Sequence, residues 1–395
     1  MMPNLVDLVI AVLLIAALAI GLSVGLFAAL GALLGLVAGG LAAPWVLPWV
    51  AKVLPQSEWH GLIVIGSAVV LLLLGASIGS AIGALLRRGA DRLRLRVVER
   101  LLGGLTTLIA GTLAIAMTGA AVASAGIPVV SSAVASSVVL RTIDRYTPAP
   151  LADAAARLHA LVLGESVLPT IDGLLGPQDL GVAPDPGDID IASPQVEAAA
   201  ASVARISGVA HQCSTIPTGS GFVIAEDRIL TNAHVVAGVD APVVQLPGEP
   251  ARDGKVVYFD PVDDIAVIAA DVDARPLALG EELGAGDGGA VLGYPFGGPL
   301  RSIPAGVVSA TNAPIDDIYG ESVADRGVYV LSSDVNPGNS GGPLLALDGA
   351  VAGMVFAKDA AREDVGYAMT NAELQPVVEG LDAAQQSVPT GACIG

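Results

Sequence analysis

The stretch Gly338-Asn339-Ser340-Gly341-Gly342-Pro343 decides the fold of the second half of this chain. Three glycines crowd one serine, and a proline ends the run. Glycine reaches backbone angles closed to other residues, so the pattern predicts a tight turn that presents the serine. β-rich runs flank it, GVYVLSS at 327–333 and GAVAGMVFA at 349–357. Further runs lie upstream: GFVIA at 221–225, RILTN at 228–232, PVVQL at 242–246, KVVYF at 255–259, IAVIAA at 265–270, GAVLGY at 289–294 and AGVVSA at 305–310. Gly, Pro and Asp separate them. Many short strands at this spacing predict a sandwich or barrel. The length from residue 207 onward suits a double β-barrel.

Two more segments carry chemistry. Thr231-Asn232-Ala233-His234-Val235-Val236 follows a strand directly, and Asp260-Pro261-Val262-Asp263-Asp264-Ile265-Ala266-Val267 enters the next one. The order is His, Asp, Ser. A serine hydroxyl is a weak nucleophile at neutral pH. A histidine such as His234 takes its proton and returns it to a leaving group, while an aspartate fixes the imidazole tautomer. Asp264 and Asp263 both compete for that place. Adjacent strand residues point to opposite faces, so alternation separates them only weakly. The N–H groups of Gly338 and Ser340 are the candidates to face a developing oxyanion.

These three segments resemble the trypsin-like serine peptidases, and within them the bacterial branch of the high-temperature-requirement proteases. In that family the catalytic aspartate directly precedes the Ile-Ala-Val stretch, so the resemblance implies the triad His234, Asp264 and Ser340. Asp334 stands six residues before Ser340, the spacing of the S1 aspartate of trypsin. It implies a preference for Arg or Lys at P1, but the bacterial branch carries an aspartate there without that preference. The stretch after Ser340 leaves no room for a PDZ domain.

The first third reads differently. Between Asp7 and Lys52 lie 44 residues without a formal charge. One helix of that length would measure about 66 Å, roughly twice a bilayer core, so the run must fold back. It predicts spans near 4–24 and 27–50. Residues 59–86 and the run from Leu101 supply two more, making an all-α membrane bundle of four transmembrane helices over residues 1–128. A signal peptide needs a basic start and a short apolar core, and neither is present. Arg87, Arg88, Arg92, Arg94, Arg96 and Arg100 cluster between the third and fourth spans, which puts that loop in the cytoplasm and the rest of the chain outside. Glycines at four-residue steps, among them Gly31, Gly35 and Gly39 with Gly75, Gly79 and Gly83, allow close helix approach in lipid.

Charge sharpens the division. Residues 1–130 carry 7 Lys/Arg and 4 Asp/Glu, whereas the remainder carries 12 and 34. The acidic excess argues against nucleic acid as a partner. Residues 129–200 hold short helical stretches and a Pro/Gly-rich tether, and residues 201–395 form the last domain. The tether is a candidate for autocleavage. The only cysteines, Cys213 and Cys393, both fall in the part placed outside, where an oxidising compartment permits a disulfide. Two free thiols are the alternative. Scattered His and Cys give no metal-ligand spacing, and no cofactor is expected.

The helical third is similar in arrangement to the colicin V production family. The whole arrangement resembles the actinobacterial membrane-anchored acid-resistance serine proteases. That resemblance implies a periplasmic protease, held by membrane lipid and cleaving extracytoplasmic proteins under acid or oxidative stress. The competing class is a membrane scaffold whose outer domain binds partners without catalysis.

Overall fold

The computed structural model describes residues 4–53, 60–90, 96–124, 130–148, 150–152, 154, 156–157, 168–171, 184–210, 215–381 and 385–394. The chain divides into two compact units: Leu5–Ala116, and Met117–Gly395 together with Met1–Asn4.

The first unit is helical. It comprises α1 (Leu5–Val24), α2 (Leu26–Val53), α3 (His60–Ala90) and most of α4 (Arg96–Ser124). Glycines let these helices meet backbone to backbone. A Cβ on Gly31 would strike the carbonyl of Gly79, and one on Gly35 the carbonyl of Gly75, which locks α2 against α3. α1 meets α4 in the same way, through Gly21 and Gly103. Thr107 Oγ1 also donates across to the Ala17 carbonyl at 2.8 Å. Large apolar side chains such as Leu13, Ile15, Leu34, Leu73 and Ile82 are exposed, so this unit is apolar on its outside. Such a surface fits lipid rather than water.

The expectation of four membrane spans is corrected here. Among the described residues two helices are long and apolar enough to cross a membrane, Leu5–Val24 and Val97–Ala116. α2 and α3 supply shorter apolar stretches, Leu26–Gly39 and Leu73–Leu86. Stretches of that length reach about 21 Å, short of a hydrocarbon core of about 30 Å. An uncharged run is therefore a poorer guide to spanning than a continuous apolar one. Arg92 and Arg94 lie outside the described residues.

The second unit opens with α5 (Val130–Ala135) and α6 (Val138–Tyr146). Ser137 caps α6 by accepting from Leu140 N–H, and Arg141 Nη1 donates to the Gly248 carbonyl at 2.8 Å. The start of the expected extended, partly flexible tether is docked: Leu168 is buried, and β1 (Thr170–Ile171) pairs in parallel with β13 (Val351–Asp359). α7 (Pro194–Ala200) then leads into the strands, with Ser193 at its N-cap.

Two seven-stranded sheets follow. One runs β6 (Arg252–Asp253), β5 (Val243–Gln245), β2 (Val203–Ser207), β3 (Thr218–Ala225), β4 (Arg228–Thr231), β8 (Ile265–Ala269), β7 (Lys255–Asp260). The other runs β1, β13, β12 (Pro343–Ala346), β9 (Gly288–Gly293), β10 (Arg301–Asp316), β11 (Val323–Ser332), β14 (Val365–Thr370), with a further β13–β14 pairing. The expected double β-barrel is corrected too. The first of these sheets does not join β6 to β7 and stays an open half-barrel. The second carries β1 as a parallel edge strand and is not a plain closed barrel. Turn spacing gives strand number, whereas closure depends on stagger and end pairing. One apolar cluster spans both sheets, bringing Val203, Phe222, Leu230 and Val267 together with Leu292, Val330, Met354 and Tyr367.

Candidate active site

Three connections carry the sequence-predicted residues. β4 ends at Thr231, and α8 (Ala233–Val236), a single turn, sets His234 behind it. The turn from β7 to β8 ends on Asp264. Within it, Asp260 Oδ1 accepts from the N–H groups of Val262 at 2.8 Å and Asp263 at 3.2 Å, which folds the turn tightly. Asp264 closes the turn with a φ of 56°, an unusual angle for a residue bearing a side chain. Ser340 lies between β11 and β12.

The structure brings His234 and Asp264 together. His234 Nδ1 and Asp264 Oδ2 are 2.7 Å apart, and Asp264 Oδ1 accepts the His234 backbone N–H at 2.9 Å. Asn232 Nδ2 donates to the Asp264 carbonyl at 2.9 Å. Both carboxylate oxygens are thus spent on one histidine. Asp263 makes neither of these bonds with His234. Burial, with Asp260 and Glu373 nearby, raises its carboxyl above the usual range, and Arg326 partly offsets this.

Ser340 and His234 are buried, at 2% and 8% exposure. Ser340 Oγ and His234 Nε2 have no hydrogen-bond partner among the described residues.

The Ser340 loop is fixed through its backbone. Ser220 N–H donates to the Ser340 carbonyl at 2.8 Å, and Gly341 N–H to the Val355 carbonyl at 2.8 Å. Gly341 needs its φ of +80° and its missing side chain, because a Cβ there would strike Ser220 and Thr231. Gly338 has a φ of +95°, and a Cβ there would strike the Tyr294 carbonyl. Ser220 Oγ donates to the Gly338 carbonyl at 2.6 Å while accepting Tyr294 N–H at 2.9 Å. Asn339 Oδ1 accepts Asn336 N–H at 2.9 Å. The Gly338 and Ser340 N–H groups find no acceptor among the described residues.

Asp334 is exposed, and its carboxylate accepts from Asn336 Nδ2 at 3.0 Å. It makes no hydrogen bond with His234, Asp264 or Ser340. Cys213 lies outside the described residues, and no described cysteine is free. The tail before Cys393 is docked: Thr390 Oγ1 donates to the Val239 carbonyl at 3.0 Å, and Tyr319 OH to the Ala392 carbonyl at 3.2 Å. Among the described residues no group of three or more His, Cys, Asp or Glu is placed to hold a metal.

Two residues at the site escape a reading by motif. Ser220 sits inside Thr218-Gly219-Ser220-Gly221, a small-residue run that hints at close approach. Arg326 gives no local signal. Its side chain is buried at 2% exposure, donates to the carbonyls of Asp316 at 2.6 Å and Asp263 at 3.4 Å, and lies 5.5 Å over the Phe356 ring. Burial lowers its pKa, while Asp264, Asp263 and Glu373 pull it back up. A guanidinium does not deprotonate in proteins, so a fixed positive charge supports the turn that ends on Asp264.

Comparison with known proteins agrees with this geometry. Residues 219–354 match the trypsin-like peptidase domain family, and residues 6–148 match the colicin V production protein family. The serine protease Rv3671c of Mycobacterium tuberculosis is 34% identical over 313 residues, covering 78% of each chain. The crystal structure of its active form, 35% identical, superposes on 57% of this chain and all of that one with a TM-score of 0.53. A probable periplasmic serine endoprotease, DegP-like, of Halomonas elongata is 38% identical over 179 residues, covering 42% of this chain and 34% of its own. The chain is an enzyme that belongs to the trypsin-like serine proteases, in the branch that joins a colicin V production region to the peptidase domain.

Proposed function

We propose that Ser340 is the nucleophile, His234 the general base and acid, and Asp264 the residue that fixes the imidazole. The observation that carries this is the 2.7 Å pair of His234 Nδ1 and Asp264 Oδ2, and both His234 Nε2 and Ser340 Oγ are buried without a hydrogen-bond partner among the described residues. Asp264 holds the proton on Nδ1, so Nε2 keeps its lone pair for the serine proton. Ser340 Oγ attacks the peptide carbonyl, His234 carries the proton to the leaving amine, and water then releases the acyl group by the reverse path. The N–H groups of Gly338 and Ser340 receive the oxyanion.

In this reading residues 1–128 anchor the chain, 129–200 link, and 201–395 cut. The arginines from Arg87 to Arg100, at the end of α3, the start of α4 and the stretch joining them, favour a cytoplasmic loop there, and hence a periplasmic peptidase domain acting on extracytoplasmic proteins. A role in acid or oxidative stress, a cut in the linker within 170–200, and a Cys213–Cys393 disulfide that ties the tail to the domain complete the proposal.

The test is fluorophosphonate labelling of the full chain in detergent. Wild type labels, while Ser340→Ala does not and His234→Ala loses at least about a thousandfold in rate. Equal labelling of wild type and Ser340→Ala overturns the assignment.

A further inference from the structure

The loop between β9 and β10 is held at three consecutive residues, and it in turn holds the oxyanion loop. Phe296 sits in the left-handed region at φ 55°, ψ 27°. A bulky residue keeps such angles only where its surroundings over-determine them. Here the surroundings come from two directions. Arg157 places its guanidinium 5.4 Å over the Phe296 ring. Ala156 is buried against Gly298 so closely that a Cβ on Gly298 would lie 2.8 Å from its own. Between them, Arg205 Nη1 donates to the Gly297 carbonyl at 3.0 Å, while its second amino group is bonded to Gln245 Oε1. Arg205 also exerts a charge attraction on Asp144 of α6.

Phe296 N–H donates to the Pro337 carbonyl at 2.5 Å. That carbonyl belongs to the same peptide group as Gly338 N–H. A trans peptide points its C=O and N–H in opposite directions. Turning the Pro337 oxygen toward Phe296 therefore aims Gly338 N–H away from it.

We propose that the segment carrying Asp144, Ala156 and Arg157 is a positioning strap for the oxyanion loop. It sets Phe296, Phe296 sets the Pro337–Gly338 peptide, and that peptide sets the catalytic rate. None of these residues touches the reacting atoms. Reaction rate thus depends on a segment more than 180 positions before the nucleophile in sequence. The proposal rests on the reading of Ser340 as the nucleophile.

The experiment is fluorophosphonate labelling of the full chain in detergent, resolved into a maximal labelling rate and a half-saturating probe concentration. Arg157→Ala is expected to lower the maximal rate about three- to fivefold, the size of a cation–π contact. Half-saturation and thermal midpoint stay unchanged, because Arg157 is exposed. Arg157→Lys restores the rate. Ala156→Trp, which wedges the strap off Gly298, lowers it at least about tenfold. In a Phe296→Gly background, which keeps the left-handed turn without the ring, Arg157→Ala has no further effect. Wild-type rates in both Arg157→Ala and Ala156→Trp overturn the strap, as does an undiminished Arg157→Ala effect without the Phe296 ring. Absence of labelling in wild type overturns the nucleophile reading itself, and the strap with it.

Discussion

The two sheets serve the site in opposite ways. The open sheet delivers His234 and Asp264 with their bonds to each other already made, both carboxylate oxygens spent on one residue. The other sheet delivers Ser340 with its hydroxyl unspent and its backbone bonded to Ser220. On the His234 side orientation is stored in side-chain hydrogen bonds. On the Ser340 side it is stored in peptide planes. Under the proposed roles the difference follows from chemistry. A base must be held in one tautomer, whereas a nucleophile must be free to lose its proton while the N–H groups around it stay still.

Asp264→Asn breaks the first half of that comparison. The amide is the same shape. Its oxygen still satisfies His234 backbone N–H, so its NH2 faces Nδ1 and forces the ring proton onto Nε2. The base then has no lone pair for Ser340. Hydrolysis of a fluorogenic peptide is expected to fall about 10⁴-fold in kcat, with the fold intact by circular dichroism. A fall of less than tenfold would mean that the 2.7 Å pair does not set the tautomer.

Ser220→Ala breaks the second half. Ser220 Oγ joins Tyr294 N–H to the Gly338 carbonyl deep in the domain. Its removal leaves both groups buried and unpaired, at a cost of about 1–3 kcal/mol in a urea titration. It also frees the Gly338–Asn339 peptide, so kcat is expected to drop about tenfold with KM unchanged. A stability loss without a change in kcat would show that the peptide planes are held elsewhere.

Legibility in the sequence follows the range of each signal. The strands, the Gly338–Pro343 turn and the residues His234, Asp264 and Ser340 are local patterns, and the structure places all three residues in buried positions. Gly31 and Gly79 were readable as points of close approach because a four-residue step is itself local. Barrel closure was not readable, because it turns on whether the end strands β6 and β7 pair with each other; each instead pairs with a strand nearby in sequence, β6 with β5 and β7 with β8, and no local pattern marks the missing pairing. Span number failed for a related reason: an uncharged run counts absent charges and not continuous apolar length. Arg326 was invisible because its partners, Asp263 and Asp316, meet it only through the fold. Ser220 left a trace in the small residues around it, but a glycine–serine run has many uses.

The smallest effect is expected at Asp263, the neighbour that is not bonded to His234. Burial, with Asp260 and Glu373 nearby, raises its folded pKa above the unfolded value. The folded state then binds the proton more tightly than the unfolded one. Wild-type stability is therefore highest below the unfolded pKa of about 3.9 as far as this group is concerned, and it declines as pH rises through the window above it. Asp263→Asn removes the titrating group and is expected to stabilise at pH 7. The side chain is half-buried, so solvent screening keeps the gain under about 1 kcal/mol. The gain should vanish below pH 3.9 or so, which denaturant titrations at pH 3.5 and 7 would read. Peptidase activity should hardly change. A large loss of activity would instead make Asp263 a partner of the site in its own right, and the division of labour between the two adjacent aspartates would have to be redrawn.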